Sequence, residues 1–214
     1  MNAASPTAFP ADHGLVRAGV ALAVIILLGL GLAYALAGAA LGRLAFPEAA
    51  GGSPVVRDGH VVGSALLAQP FADPRYFSPR PSAAGYDPMA AAGSNQARTN
   101  PDLRRRLAEA TAAVAAREGV AAAEVPPELV TQSGSGLDPH ISPAAARIQV
   151  ARVAAARGLD PAIVARLLAE RTEAPQFGLL GQPRINVLQL NLALDALPAR
   201  IPAGSAPPPR SGAQ

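Results

Sequence analysis

No charged side chain occurs between Arg17 and Arg43, and a run of that kind leaves a chain few ways to fold. Residues 18–42 are Ala, Val, Ile, Leu and Gly with a single Tyr. A helix over this run rises roughly 38 Å, against about 30 Å of bilayer hydrocarbon. It has no polar face to turn toward water, as a surface helix of a soluble domain would. The sequence therefore predicts a retained transmembrane helix over 18–42. Two alternatives stand beside it. A cleaved signal peptide would use Arg17 as its basic start and Ala33-Tyr34-Ala35 or Ala37-Gly38-Ala39 as its cleavage site, although the apolar core of such peptides is about 7–15 residues. A helix buried in a soluble core is the other. Arg17 and Arg43 flank the run symmetrically, so charge does not orient it. Gly31, Ala35, Gly38 and Gly42 put small side chains at helical spacing, the pattern by which helices in lipid pack closely on a partner. An Ala/Gly-rich composition scatters such pairs as well.

Composition removes several functions. All 18 basic residues are Arg and Lys is absent. A nucleotide-hydrolysing P-loop needs a Lys on the β/γ-phosphates, and a pump phosphorylated on Asp needs its own Lys-bearing signature, so the chain is neither alone. Aromatics make up 4% and the Arg residues are spread along helices with acidic partners, which disfavours nucleic-acid binding. There is no Cys, hence no disulfide, thiolate metal site or Cys nucleophile. His13, His60 and His140 lie far apart without ligand spacing, so no metal is expected.

The chain divides into a leader at 1–17, the span at 18–42, a linker at 43–54, one soluble domain at 55–197 and a disordered Pro-rich tail at 198–214. Phe46-Pro47 ends the span, and 50–53 read as a short flexible link. Asp58-Gly59 between the β-branched pairs Val55-Val56 and Val61-Val62 predicts a hairpin, its second strand continuing toward Leu67. From Gln69 to Asn100 no period of 2 or 3.6 exists. Phe71, Tyr76, Phe77 and Tyr86 argue that this Pro/Gly-rich stretch is nonetheless ordered. Asn100-Pro101, Ser142-Pro143 and Asp160-Pro161 each pair a capping side chain with a Pro at the first helical position. They predict helices over 101–118, stopped by Gly119; over 143–157, stopped by Gly158, with Ile148 and Ala151 inward; and over 161–173, with Ile163, Val164, Leu167 and Leu168 inward. A last helix starts at Asn186 and carries Val187, Leu190, Leu194 and Leu197. The fold class is α+β: a single N-terminal transmembrane helix followed by one mixed domain of helices and short strands.

The loop before the second of these helices has the most chemical potential. Gln132, Ser133, Gly134, Ser135, Gly136 and Asp138 combine small residues, whose backbone amides can form an anion-binding concavity, with hydroxyls and a carboxylate. Ser133 or Ser135 with Asp138 and His140 is also a hydrolase inventory. The Gly-x-Ser-x-Gly elbow is missing, however, and an Asp and a His two residues apart make a poor relay. A plain tight loop is the bland alternative. Arg80, Pro81 and Ser82, and Gly93, Ser94 and Asn95, flank an Asx-type turn at Asp87-Pro88 and form a candidate partner-contact loop. Their bland reading is structural, with Arg80 paired to a local carboxylate. Arg104, Arg105 and Arg106 read as a solvated helix face on which Glu109 pairs with Arg105 or Arg106.

These strings together carry a family resemblance. Residues 62–69 (Val-Gly-Ser-Ala-Leu-Leu-Ala-Gln), 76–83 (Tyr-Phe-Ser-Pro-Arg-Pro-Ser-Ala), Gly93-Ser94-Asn95 with Thr99-Asn100-Pro101, 127–138, and Gly181-Gln182-Pro183 with Asn186 and 190–195 resemble the C subunit of Kdp-type potassium-transporting ATPases. The likeness runs from the span to Leu197, in the family's order. Tyr34-Ala35 stands where the family commonly has Tyr-Pro, which bears on a kink in the span, and Ala92 stands where a Gly is common. The resemblance implies a non-catalytic subunit of an ATP-driven potassium importer in the plasma membrane. Its partners would be an ATP-hydrolysing P-type subunit, a channel-like potassium-binding subunit and a small membrane subunit. It implies an N-terminus inside, a domain outside the cytoplasm, and a chaperone that raises the pump's affinity for ATP. No cofactor would be tightly bound; ATP would be met only in a transient complex, through the loop from Gln132 to Asp138. A domain outside the cytoplasm cannot reach cytoplasmic ATP, so in that topology its effect would travel through the span and the channel-like partner. Otherwise the chain could be a membrane-anchored Ser hydrolase or an extracytoplasmic ligand-binding module.

Overall fold

A computed structural model describes residues 12–197. The leader up to residue 11 and the Pro-rich tail from 198 lie outside the described residues. Residues up to Ser53 form one compact unit and those from Pro54 a second.

The first unit is the apolar helix. It runs as α1 (Asp12–Ile26), a π-helical segment (Leu27–Ala33) and α2 (Tyr34–Ala45). The apolar stretch Gly14–Ala45 is 32 residues, about 48 Å at 1.5 Å per residue, and none of it is buried. By length and composition it is sufficient to cross a bilayer. The helix is not uniform: at Leu27–Ala33, just before Tyr34-Ala35, i→i+5 bonding widens the turn. Ala35, Gly38 and Gly42 share a face of regular α-helix, while Gly31 lies across the widened turn. A Cβ added at Gly31, Gly38 or Gly42 would meet nothing within 4 Å, so that face is open. Phe46, with φ −140° and ψ 63°, ends α2 ahead of Pro47, and the link that follows is structured by a single turn, α3 (Pro47–Ala50).

The second unit is a mixed domain of helices with two small antiparallel sheets. Strand β1 (Pro54–Arg57) pairs with β2 (His60–Ser64), Arg57 facing His60 across a two-residue loop. Asp58 (φ 50°) and Gly59 (φ 78°) both take the left-handed conformation that this tight turn demands. The second strand stops at Ser64, short of Leu67, because the chain folds back and the Gln69 side chain donates to the Val62 carbonyl at 3.0 Å. Helix α4 (Pro101–Glu118) begins where Asn100 accepts from the Asp102 amide and ends at Gly119, φ 70°. After it come β3 (His140–Ile141), α5 (Pro143–Arg147), α6 (Val150–Arg157), α7 (Pro161–Glu170), β4 (Ile185–Asn186) and α8 (Val187–Asp195). Ser142, Asp160 and Asn186 cap α5, α7 and α8 with their side-chain oxygens. β3 pairs with β4, and Phe77, Ile141, Val153, Val164, Ile185 and Leu190 are fully buried around this pair and the helices.

Two helices differ from expectation. The helix over 143–157 breaks at Ile148-Gln149, where the Gln149 amide bonds back only three residues to the Ala146 carbonyl and its side chain turns inward. The break resets the buried face: Val150, Val153 and Ala154 are buried, Ile148 is half-buried against the core as expected, and Ala151 is exposed. Helix α7 ends at Glu170 because Glu173 exchanges backbone bonds with Arg184, and Ile163 faces outward while Val164, Leu167 and Leu168 are buried.

Candidate functional site

The irregular stretch after β2 is ordered, and polar side chains order it as much as aromatic ones. Phe77 is fully buried, and Tyr76 packs on Phe71 at 5.6 Å between ring centroids. Asn191, buried on α8, accepts from the Phe77 amide at 2.9 Å and donates to its carbonyl at 3.0 Å. Gln149 does the same for Ser78, at 2.8 and 3.2 Å. Two amide side chains thus imitate a neighbouring β-strand for a segment that has none. Arg152 completes the clamp: its guanidinium donates to the carbonyls of Pro74 (2.7 Å) and Tyr76 (2.9 Å), to Gln149 and to the buried Glu118. Sequence reading passed over Asn191, Gln149 and Arg152; for the first two the available signal was an uncharged amide among apolar helix positions, and Arg152 gave none.

With that stretch fixed, the predicted loops meet. The Arg80 guanidinium donates to Asp138 at 3.2 Å, so its carboxylate partner is distant in sequence rather than local. The Ser133 amide donates to the Pro81 carbonyl at 2.9 Å. Ser82 accepts from the Ala84 and Tyr86 amides, and the Tyr86 hydroxyl donates to the Arg80 carbonyl. Backbone approaches backbone at two glycines: a Cβ at Gly93 would lie 2.8 Å from the Gly134 oxygen, and one at Gly136 2.7 Å from the Ala92 oxygen. Arg80, Pro81, Ser82 and Gly93 therefore assemble with the loop from Gln132 to Asp138. Ser94 and Asn95 do not; they are exposed, Asn95 with a φ of 51°. The turn at Asp87-Pro88 forms as expected, Asp87 accepting from the Met89 amide at 2.8 Å.

The electrostatics of the junction are local. Partial burial pushes the Asp138 carboxyl up, but hydrogen bonds from His140 and Arg80 outweigh it and hold the group below the usual carboxylate value. Ser133 is buried, its hydroxyl engaged with the Gly136 amide and the Ser135 hydroxyl, both at 3.2 Å. Ser135 in turn accepts from the Leu137 amide at 3.1 Å. Neither serine hydrogen-bonds His140, whose ring nitrogen lies 3.6 Å from Asp138, so no nucleophile–base pair is assembled. The Gly136 and Leu137 amides are taken up by the loop's own hydroxyls. Arg80 Nε and Gln132 Oε1 are the junction's buried polar atoms without a protein partner. No metal-binding cluster of His, Cys, Asp or Glu occurs among the described residues.

A second polar centre lies at the end of α8. Asp195 binds Arg157 (2.8 Å), Arg57 (2.9 Å) and the Tyr76 hydroxyl (3.1 Å), and Arg157 stacks 4.8 Å above the Tyr76 ring. These groups line a cavity of about 460 Å³. Partial burial pushes the Asp195 carboxyl up, and its bonds to Arg157, Arg57 and Tyr76 more than reverse this, lowering it.

Several of the strings that carry the resemblance meet here. A family model described as the K⁺-transporting ATPase c chain, KdpC, matches residues 16–196. This chain belongs to the KdpC family. Curated KdpC relatives are similar along most of their length. A potassium-transporting ATPase KdpC subunit of Xanthomonas campestris pv. campestris is 61% identical over 191 residues, 89% of this chain and 91% of the relative. One from Shewanella putrefaciens is 50% identical over 186 residues, covering 87% and 92%. One from Kineococcus radiotolerans is 52% identical over 180 residues, covering 83% and 91%. KdpC membership makes the chain a subunit of a potassium-transporting ATPase, and so one component among several.

Proposed function

We propose that this chain is the non-catalytic, single-span accessory subunit of an ATP-driven potassium import complex in the plasma membrane. It assembles with an ATP-hydrolysing P-type subunit, a channel-like potassium-binding subunit and a small membrane subunit, and it raises the ATPase subunit's affinity for ATP. Its N-terminus is cytoplasmic and its domain extracytoplasmic. The observation that carries this reading is the apolar helix Gly14–Ala45, long enough to cross a bilayer and unburied along its length, joined to a domain in which Ser133 and Ser135 hydrogen-bond each other rather than His140. A chain of that form acts through neighbours. The affinity effect passes through the helix and the potassium-binding partner rather than by direct contact with nucleotide, since a domain outside the cytoplasm does not meet cytoplasmic ATP. The junction of Arg80, Pro81, Ser82 and Gly93 with the loop from Gln132 to Asp138 gives the domain a fixed face for its partners.

The test is affinity purification of the tagged full chain from detergent-solubilised native membranes. Recovery of a P-type ATPase subunit and a multi-span potassium-binding subunit in constant ratio supports assembly. Recovery of this chain alone, or in the aqueous fraction trimmed of its helix, refutes it.

A further inference from the structure

The cavity beside Asp195 collects more positive charge than its walls neutralise. Three guanidinium groups line it, from Arg57 on β1, Arg75 in the irregular stretch after β2 and Arg157 on α6, against the single carboxylate of Asp195. Arg75 is also paired at 2.7 Å with Asp73, which lies outside the lining. Asp58 comes only within 3.8 Å of Arg57 and is 92% exposed, so solvent screens it. The protein occupies only part of each guanidinium. Arg57 hydrogen-bonds through Nη1, and Arg75 and Arg157 each through Nε and Nη2. Among the described residues, Arg57 Nη2, Arg75 Nη1 and Arg157 Nη1 have no hydrogen-bond partner. These groups are held in place. The Arg157 side chain is 13% exposed, stacks on the Tyr76 ring and donates to the Arg75 carbonyl at 2.7 Å, while Asp195 ties it to Arg57. The rest of the lining is apolar: Ala156, Leu159, Leu194 and Leu197, with the Tyr76 ring. Residues 198–214, which follow Leu197, hold Arg200 and Arg210 but no acidic side chain, so they bring no counter-anion of that kind.

We propose that this cavity binds a phosphate monoester carried on an apolar body. Three guanidinium groups from three separate segments suit an anion with three terminal oxygens, which a phosphate monoester has and a carboxylate lacks. The aliphatic side chains and Tyr76 take the remainder of the ligand, and about 460 Å³ is the volume of a small-molecule site. Asp195 positions Arg57 and Arg157 before the ligand arrives, which leaves little ordering to be done on binding. Two sources supply this chemistry: a soluble phosphate ester, and a phospholipid whose headgroup is a bare phosphate. The site goes beyond the accessory-subunit reading and stands whichever subunits surround the chain.

The test is calorimetric titration of the full chain in uncharged detergent with inorganic phosphate, phenyl phosphate and dihexanoylphosphatidic acid. At least one ester is expected to bind about tenfold more tightly than inorganic phosphate, because its apolar part leaves water. Tighter binding of phenyl phosphate assigns a soluble ligand, and tighter binding of the lipid assigns a headgroup. Arg57→Gln and Arg75→Gln, at side chains 43% and 57% exposed, are each expected to weaken that ester about tenfold with little change in the thermal melt. Arg171→Gln, an exposed change outside the lining, is expected to leave binding unaltered. Absence of binding, inorganic phosphate binding as tightly as both esters, unweakened binding in Arg57→Gln and Arg75→Gln, or equal weakening by Arg171→Gln would overturn the proposal.

Discussion

Replacing Gly136 with Ala tests whether the separate sequence strings meet as described. The residue sits at φ 74°, and its new Cβ would lie 2.7 Å from the Ala92 oxygen, 3.0 Å from the Ala84 Cβ and 3.3 Å from the Ser82 hydroxyl. The left-handed backbone costs an alanine about 1–2 kcal/mol. Forcing a methyl against a backbone oxygen adds about 1–3 kcal/mol. A stiffer unfolded chain returns about 0.4–1 kcal/mol, leaving a net loss of about 2–4 kcal/mol. Companion variants separate these contributions. Gly119→Ala carries the same backbone penalty (φ 70°) into open space and should lose about 1 kcal/mol. Gly134→Ala has neither penalty and should be neutral or slightly stabilising, although it lies in the same loop. Urea melts of the full chain in mild detergent, followed by circular dichroism, give the order. Equal losses at Gly134 and Gly136, or a neutral Gly136→Ala, would refute the packing of this loop on the segment around Ser82 and Ala92.

Other variants probe the clamps and the core. Asn191→Leu leaves the buried Phe77 amide and carbonyl without partners and should cost about 2–5 kcal/mol in the same melts; a loss below 1 kcal/mol would contradict the strand-like role of the side chain. Leu190→Ala, at a fully buried position, should cost about 2–5 kcal/mol. Asp195 has a folded pKa below its ordinary value of 3.8, so its contribution is complete above that value and lost as pH falls through the lowered one. Asp195→Asn should therefore flatten the acid limb of a stability–pH profile while lowering stability near neutrality; an unchanged acid limb would contradict it.

Local signals were legible in the sequence wherever the chemistry was local. The Pro-capped starts at Asn100, Ser142 and Asp160, the Asp58-Gly59 turn and the Gly119 stop are each fixed by a few adjacent residues. Periodicity failed where a tertiary contact overrode it. Gln149 interrupts a helix because its side chain is needed by Ser78, seventy-one positions away in sequence. Ile163 reads as inward by type, yet it lies outside the arc formed by Val164, Leu167 and Leu168. The junction was visible only as scattered small and polar residues: no spacing rule pairs Arg80 with Asp138, or brings Gly93 against Gly134. The widened turn at Leu27–Ala33 was not legible as such: Gly29 and Gly31 loosen a helix without specifying i→i+5 bonding.

The most direct measurement is the apparent KM for ATP of the potassium-stimulated ATPase, with this chain present and with it deleted. An accessory subunit that acts through its neighbours gives a higher KM, or no assembled pump, in the deletion, and the full chain restores the original value. Unchanged KM and unchanged potassium-stimulated turnover without the chain would contradict the accessory role outright.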